Sequence, residues 1–367
     1  MDKKYYQDLN FEVLEFLENL KKEENYSFYP ALKGLTNVGK SLNLGFSCYG
    51  LKIYYMTGAW DKLSEESKKD WLTYLNSFQI SSNRFPENSF VDEYLVKDYD
   101  SLFTKNYYKY ITKTLLNTFL NKNYSSKEED LLKAINAETK QAVATLYEVN
   151  ETNEKKVENI FKNKLDLANY LSSLNWLTPW GSGAQFSSIC VFNATQNLNL
   201  TNDLSSFIET KLNPETGSYH DPELSDKREI INGAMKVISG LDWLDARIHS
   251  PKKLIDFCLD NKPFLEGCDI VDYVYVLYKC SKQDDHRKSE IEKLFIDLLN
   301  DIMILYKPKN KGFSYFKNRS QTHYYGAPIT KGENTADIHG TTLCIWAVNM
   351  ILDTLGHLDN DFNIIKP

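Results

Sequence analysis

"ENTADIHGTTLCIWAVNMILDTLG", Glu333 to Gly356, opens with polar residues and then turns apolar. The apolar part carries Cys344 and Trp346 and shows no charged face before Asp353, so a helix formed from it must be buried on all sides. Yet its first turn holds an acid and an imidazole, Asp337 and His339. That combination makes sense if the start of the helix opens onto a cavity shared with other helices. Five more stretches have the same character, polar at the start and then apolar or rich in small residues. They are "SLNLGFSCYGLKIYYMTG" from Ser41, "AETKQAVATLYEVN" from Ala137, "GAQFSSICVFNATQNL" from Gly183, "REIINGAMKVISGL" from Arg228 and "CDIVDYVYVLYKC" from Cys268. From Ala137 to Cys268 the starts recur roughly every 45 residues, the period of stacked helical hairpins.

Between these segments lie amphipathic ones, with apolar residues three and four apart and a charged outer face. They include "LNFEVLEFLENLKK", "EESKKDWLTYLNSF", "YYKYITKTLLNTFLNK", "VENIFKNKLDLANYLSSL" and "SEIEKLFIDLLNDIMILY". No convincing strand with a period of two interrupts them. Buried helices alternating with amphipathic ones predict an all-α (α/α)6-type toroid, an inner ring covered by an outer ring. One such domain spans residues 1–367, with 1–40 as an outer helix and lead-in. An open superhelix is the rival architecture. Hairpin repetition makes the inner helices parallel, so their N-termini meet at one mouth. Glu138, Gln185, Arg228, Asn232, Asp269, Asp272, Asp337 and His339 are therefore expected around a common cavity. The positive ends of the helix dipoles bias that mouth toward anions.

Composition narrows the function. Lys and Arg number 43 against 50 Asp and Glu, a net charge of −7, and no basic run appears, so the electrostatic footprint of nucleic-acid binding is missing. No stretch reaches the ~18 uncharged apolar residues of a membrane span. The N-terminal "MDKKYYQDLNFEVLEFLENLKK" reads as an amphipathic helix and not as a signal peptide. Cys48, Cys190, Cys258, Cys268, Cys280 and Cys344 form no CxxC pair and lie in apolar surroundings, which suits reduced thiols in a cytoplasmic protein. Aromatic residues make up 13%, with 24 Tyr, which suits both a large helical core and a cavity wall with a polar rim.

Several residues carry two readings. Asp269 and Asp272 lie three apart on one helix face, suiting acid–base work, or the acids complement the helix dipole. Asp337 has the same pair of readings. Trp180, beside Trp176, Gly181 and Gly183, can stack on a ligand at a helix entrance or simply pack. His220 and Asp221 sit in the loop "NPETGSYHDPE". "GLTNVGKS" (Gly34 to Ser41) has the spacing of a phosphate loop, but no strand precedes it and Pro30 interrupts the lead-in.

"KNKGFSYF" (Lys309 to Phe316), followed by "DIHGTTLCIWAVNMI", resembles the final repeats of the terpenoid-cyclase and protein-prenyltransferase superfamily. "FLEGCDIVDYVYVLY", "AETKQAVATLYEVN" and "NPETGSYHD" are similar to its inner-helix starts and inter-repeat turns. The resemblance implies a zinc site of carboxylate, thiolate and imidazole, carried here by Glu266, Cys268 and His339. It departs from the family in having Glu266 where an aspartate stands, and only Lys262 where a basic cluster holds diphosphate. The Asp-x-Asp-Asp acid of the cyclases that protonate alkenes is absent.

Three functions follow as expectations. The first is an enzyme acting on an isoprenoid or other lipid-like small molecule in the cavity, zinc-assisted, with Trp180, Tyr273 and Tyr275 lining it. The second is a carbohydrate-active toroid (a glycosidase, lyase or epimerase) with Glu138, Asp269, Asp272 and Asp337 as acids and bases. In it, Trp180, Tyr273, His220, Asn232 and Arg228 contact a sugar. The third is a non-catalytic repeat scaffold that binds a partner.

Overall fold

The computed structural model describes every residue except 1–2, 24–25, 102–105, 121–124, 159–163 and 263–265. Parts of four quoted stretches, at 1–2, 121–122, 159–163 and 264–265, therefore lie outside the described residues. Helices dominate: α1 (Lys3–Leu20), α2 (Asn37–Ser41), α3 (Leu44–Met56), α4 (Glu65–Asn76), α5 (Glu93–Asp100), α6 (Asn106–Leu120), α7 (Lys127–Glu148) and α8 (Lys164–Ser173). They continue with α9 (Pro179–Gln196), α10 (Thr201–Glu209), α11 (Lys227–Trp243), α12 (Pro251–Asp260), α13 (Cys268–Gln283), α14 (Lys288–Met303) and α15 (Ile338–Thr354). Strands among the described residues are short antiparallel pairs in the loops: β1 (Gln79–Ile80) with β2 (Ser89–Phe90), β3 (Tyr306–Lys307) with β4 (Gly312–Phe313), and β5 (His323–Tyr324) with β6 (Ala327–Pro328).

The six apolar stretches form one closed ring. Helix α3 packs on α7, α7 on α9, α9 on α11, α11 on α13, α13 on α15, and α15 returns to α3. Contacts across four successive interfaces, from α9–α11 to α15–α3, run in parallel register. Gly183 meets Gly233 where Cys190 meets Gly240. Asn232 meets Asp269, and Asp242 meets Tyr275 further along. Tyr275 packs on Trp346, and Tyr278 bonds Asp353. His339 stacks on Tyr49, and Asn349 reaches the Met56 carbonyl. Outer helices cover the ring, α4 on α3, α10 on α9, α12 on α13 and α14 on α15. The protein is thus an all-α toroid, and its core fills the space between the rings with side chains such as Trp71, Phe186, Tyr273 and Phe295.

Local chemistry sets the boundaries. Helix α7 begins ten residues before the expected start because Ser126 and Glu129 make a reciprocal capping box there. Its charged first turns project beyond the ring, and Glu138 consequently sits well inside the helix. "GLTNVGKS" forms the short α2, capped by the Thr36 hydroxyl on the Gly39 amide. The helices α5, α10 and α12 were not anticipated by the periodicity, being only two to three turns long.

The α9–α11 interface is the tightest in the ring because glycine lies on both sides. A Cβ on Gly233 would stand 2.6 Å from the Pro179 Cβ and 3.0 Å from its carbonyl carbon. Gly233→Val is therefore expected to lower stability by ~1–3 kcal/mol, by forcing the start of α9 outward. Denaturant midpoints of the two proteins measure this, and an unchanged midpoint would show that the helices have room to separate.

The chain after α15 crosses the C-terminal ends of the inner ring. Asn363 donates to the Tyr55 carbonyl at 2.9 Å, the Trp243 indole donates to the Pro367 carbonyl at 2.7 Å, and the Lys366 ammonium lies 4.9 Å from the Trp243 ring centre. The opposite end, where the inner helices start, remains the mouth.

Candidate active site

At the mouth, α11 and α13 meet through Asp269. Its carboxylate accepts from Arg228 Nε at 2.8 Å and from Asn232 Nδ2 at 2.7 Å. The Arg228 side chain is 54% exposed and its guanidinium carbon lies 5.6 Å from the centre of the Trp180 ring. Trp180, Arg228, Asn232 and Asp269 are thus brought together by the starts of α9, α11 and α13. Both amide hydrogens being donors, the bond to Asp269 fixes the Asn232 amide and leaves its Oδ1 buried without a donor.

Deeper in, the inner helices turn a different set of side chains toward the axis. Lys236 of α11 lies 3.6 Å from Asp272 of α13. Burial pushes the Asp272 carboxyl up to about 6, and Lys236 partly offsets it. His339 is sandwiched between Tyr49, stacked at 4.7 Å and 15°, and Tyr315 at 5.1 Å. Burial, then the charges of Lys236 and Lys52, lower the His339 pKa to about 3, so the imidazole is neutral throughout the physiological range. Its Nδ1 is buried with no partner.

Lys140 of α7 is lowered to about 7, first by burial and then by Lys236 and Lys52. Helix α9 stands between α7 and α11 in the ring, so the mutual influence of Lys140 and Lys236 runs across the lumen. Lys52 of α3 is itself lowered by burial, with Glu148 acting against that. Tyr49, Tyr315 and Tyr325 are all raised by burial and keep their protons. Tyr325 enters from the β5–β6 turn, where its carbonyl accepts from the Tyr99 hydroxyl at 2.6 Å.

Other expected site residues are placed elsewhere. Tyr273 is fully buried and donates outward to the Cys258 carbonyl of α12, and Tyr275 donates to Asp242 and packs on Trp346. Tyr273 therefore belongs to the core between the rings, whereas Tyr275, one turn on from Asp272, packs among inner helices below the mouth. His220 is tied into its own loop by the Thr216 hydroxyl at 2.9 Å and the Asp221 carbonyl at 2.8 Å. Asp337 caps α15: its carboxylate accepts from the amides of Gly340 at 2.7 Å, Tyr315 at 2.7 Å and Gln321 at 3.1 Å. Glu138 is 1% exposed, close to the Asp92 backbone and the Tyr324 hydroxyl, and burial, reinforced by the Asp92 charge, raises its pKa well above the usual carboxylate range.

The residues do not fit the zinc expected from the resemblance. Glu266 accepts from the Lys317 amide at 3.2 Å, at the edge of the mouth. Cys268 contacts the Tyr315 hydroxyl at 3.0 Å, and burial pushes its thiol up to about 11. Among the described residues no group of three His, Cys, Asp or Glu side chains is arranged to hold a metal.

The lysines were missed by reading helix starts alone. Their signal was nevertheless present. "GLKIYYM", "ETKQAVA" and "GAMKVIS" each hold a single lysine inside an otherwise apolar or small-residue helix. A lysine there has to face a cavity or be neutral.

No protein-family model matches the chain, and no curated protein matches it. Among solved structures the chain is similar to a polysaccharide lyase, with a TM-score of 0.48 and 13% identity, over 98% of this chain and 99% of that one. That likeness is too loose to carry a functional argument. No helix among the described residues is long and apolar enough to cross a membrane.

Proposed function

We propose that this protein is an enzyme acting on an anionic, uronate-type sugar in the lumen of the toroid, by removing the proton next to its carboxylate. The reaction class is that of a lyase or epimerase. The observation that carries this reading is the convergence of Lys52, Lys140 and Lys236, from three helices, on one lumen lined by Tyr and His. A close cluster of cations is stable only with an anion among them or with one member neutral: Lys236 has Asp272 at 3.6 Å, Lys52 feels Glu148, and Lys140 is poised to be neutral. Positive charge on a sugar carboxylate stabilises the enolate-like charge that develops as the adjacent C–H breaks.

The roles follow from ionisation. Lys52 and Lys236 face the carboxylate. Neutral Lys140, its pKa close to the working pH, accepts the carbon-bound proton. In elimination, the C–H electron pair becomes the new double bond as the C–O bond to the leaving sugar breaks. A tyrosine hydroxyl among Tyr49, Tyr315 and Tyr325, each kept protonated by burial, supplies the leaving oxygen with its proton. Trp180 and Arg228 at the mouth offer a stacking face and a further cation.

Two rivals fit less well. Glycoside hydrolysis needs two carboxyl groups free to act on one bond. Here Asp269 is engaged by Arg228 and Asn232, Asp272 lies beside Lys236 and Asp337 is held by backbone amides, so Glu138 remains as a single carboxyl and not a pair. An isoprenoid needs an apolar wall, whereas this lumen presents hydroxyls, amines and an imidazole. The test is incubation with a panel of uronate polysaccharides and their oligomers, following formation of the unsaturated sugar and exchange of the C–H proton in heavy water. Turnover by either measure is expected. Absence of both across the panel would remove the reading.

A further inference from the structure

The ring is not equally tight all round. Where α9 and α11 are zipped by glycines, α7 and α9 part at their mouth ends and leave a groove of about 670 Å³. The loop before β2 covers its outer side with Phe85, and α8 adds Tyr170, whose hydroxyl bonds the Gln185 side chain. Asn136 of α7 and Gln185 and Ser188 of α9 line its floor, with Lys133 exposed at the rim. Lys133, Asn136 and Ala137 occupy one stripe of α7, and the next residue on that stripe is Lys140. The α7 stripe that lines the groove thus continues to Lys140, one turn beyond Ala137, where the groove's own lining on that helix stops.

We propose that this groove binds the sugar units that flank the one held in the lumen, so that the protein grips an anionic polysaccharide along several residues. The inference rests on the reading above, which supplies the unit in the lumen. The lining supports a polyol chain in particular. Amide and hydroxyl side chains match sugar hydroxyls, two aromatic rings offer faces to sugar C–H surfaces, and Lys133 meets acidic substituents. The size is that of a site for a substantial ligand, since pockets of a few hundred Å³ already enclose one.

The groove can be filled without disturbing the fold, because a Cβ on Gly181 meets nothing within 4 Å. Gly181→Trp and Gln185→Ala are compared with wild type on size-defined uronate oligomers, from trimer to octamer, after thermal melts confirm that each is folded. The expected result is that the ratio of kcat/KM on octamer to that on trimer falls about tenfold in either variant, the loss of ~1.4 kcal/mol of longer-chain binding. A ratio unchanged by both substitutions overturns the proposal, as does a wild type with no preference for length. If wild type turns over none of the oligomers, the proposed chemistry has failed and calorimetric binding of the same oligomers decides the groove separately. Tighter binding of octamer than trimer, lost in Gly181→Trp, then upholds it, and binding that is absent or independent of length overturns it.

Discussion

Lys140→Met is expected to reduce turnover of a uronate substrate by roughly 10²–10⁴-fold, the usual range for removing a general base, while raising the unfolding temperature. The two effects have one cause. The Lys140 amine lies among two other lysines, and burial together with their charges holds its pKa at about 7. In the unfolded chain it returns to ~10.4. A lysine lowered on folding gives a folded state that holds fewer protons, so this group's contribution to stability is most favourable above pH ~10.4 and declines as pH falls toward 7. Methionine has similar length and no charge, and removes that penalty at neutral pH. Loss of function coupled to a gain in stability is the mark of a strained catalytic group.

The pH dependence has a definite sign. Below pH 7 Lys140 is protonated and cannot accept a proton, so kcat/KM rises with pH through about 7 and then levels. Lys236→Met removes one of the charges that lower Lys140 and is expected to move that limb to higher pH. Differential scanning fluorimetry and a pH–rate profile measure these outcomes. A Lys140→Met protein with wild-type turnover would end its role as base, and one that melts earlier would show that the ammonium is paired in the folded state.

The largest purely structural effect is expected at the residue with which the sequence reading began. Asp337→Ala leaves the amides of Gly340, Tyr315 and Gln321 without their acceptor in a site only 1% exposed. Each stranded donor costs about 1–3 kcal/mol, so a total destabilisation of roughly 3–5 kcal/mol is reasonable after partial relaxation. Asp337→Asn restores one acceptor for Gly340 but presents an NH2 group toward the other two amides, so it recovers only part of the loss. Because Tyr315 is one of the three, its hydroxyl contact with Cys268 and its packing on His339 loosen as well. Denaturant melts of the three proteins rank them. Equal stability of Asp337→Ala and wild type would mean that the start of α15 is held some other way.

Asp337 also shows how far the sequence was legible. The acid at the head of an apolar helix reads as catalytic or as a first-turn complement to the helix dipole, whereas its carboxylate caps the helix. Asp269 sits at the mouth as expected, yet its carboxylate is engaged in holding Arg228 and Asn232. Tyr273, read as cavity lining from its position on an inner helix, turns to the core because the face of α13 that meets α12 was invisible in a helix apolar all round. The terpenoid-type reading found no support: Cys268 and His339 both touch Tyr315, but no group of three described His, Cys, Asp or Glu side chains is arranged to hold a metal.

What the amino-acid sequence determined alone is the pattern of two helix kinds and hence two rings, because a helix without a polar face has no stable place except beneath another layer. It also set the parallel order of the inner helices, through the hairpin repeat. Only the tertiary structure decided which turn of each inner helix faces the axis, that three isolated lysines meet there, and that α7 and α9 separate where α9 and α11 do not. Those outcomes depend on side-chain contacts between segments far apart in the chain, and hydrophobic periodicity records that a face is buried without recording what it is buried against.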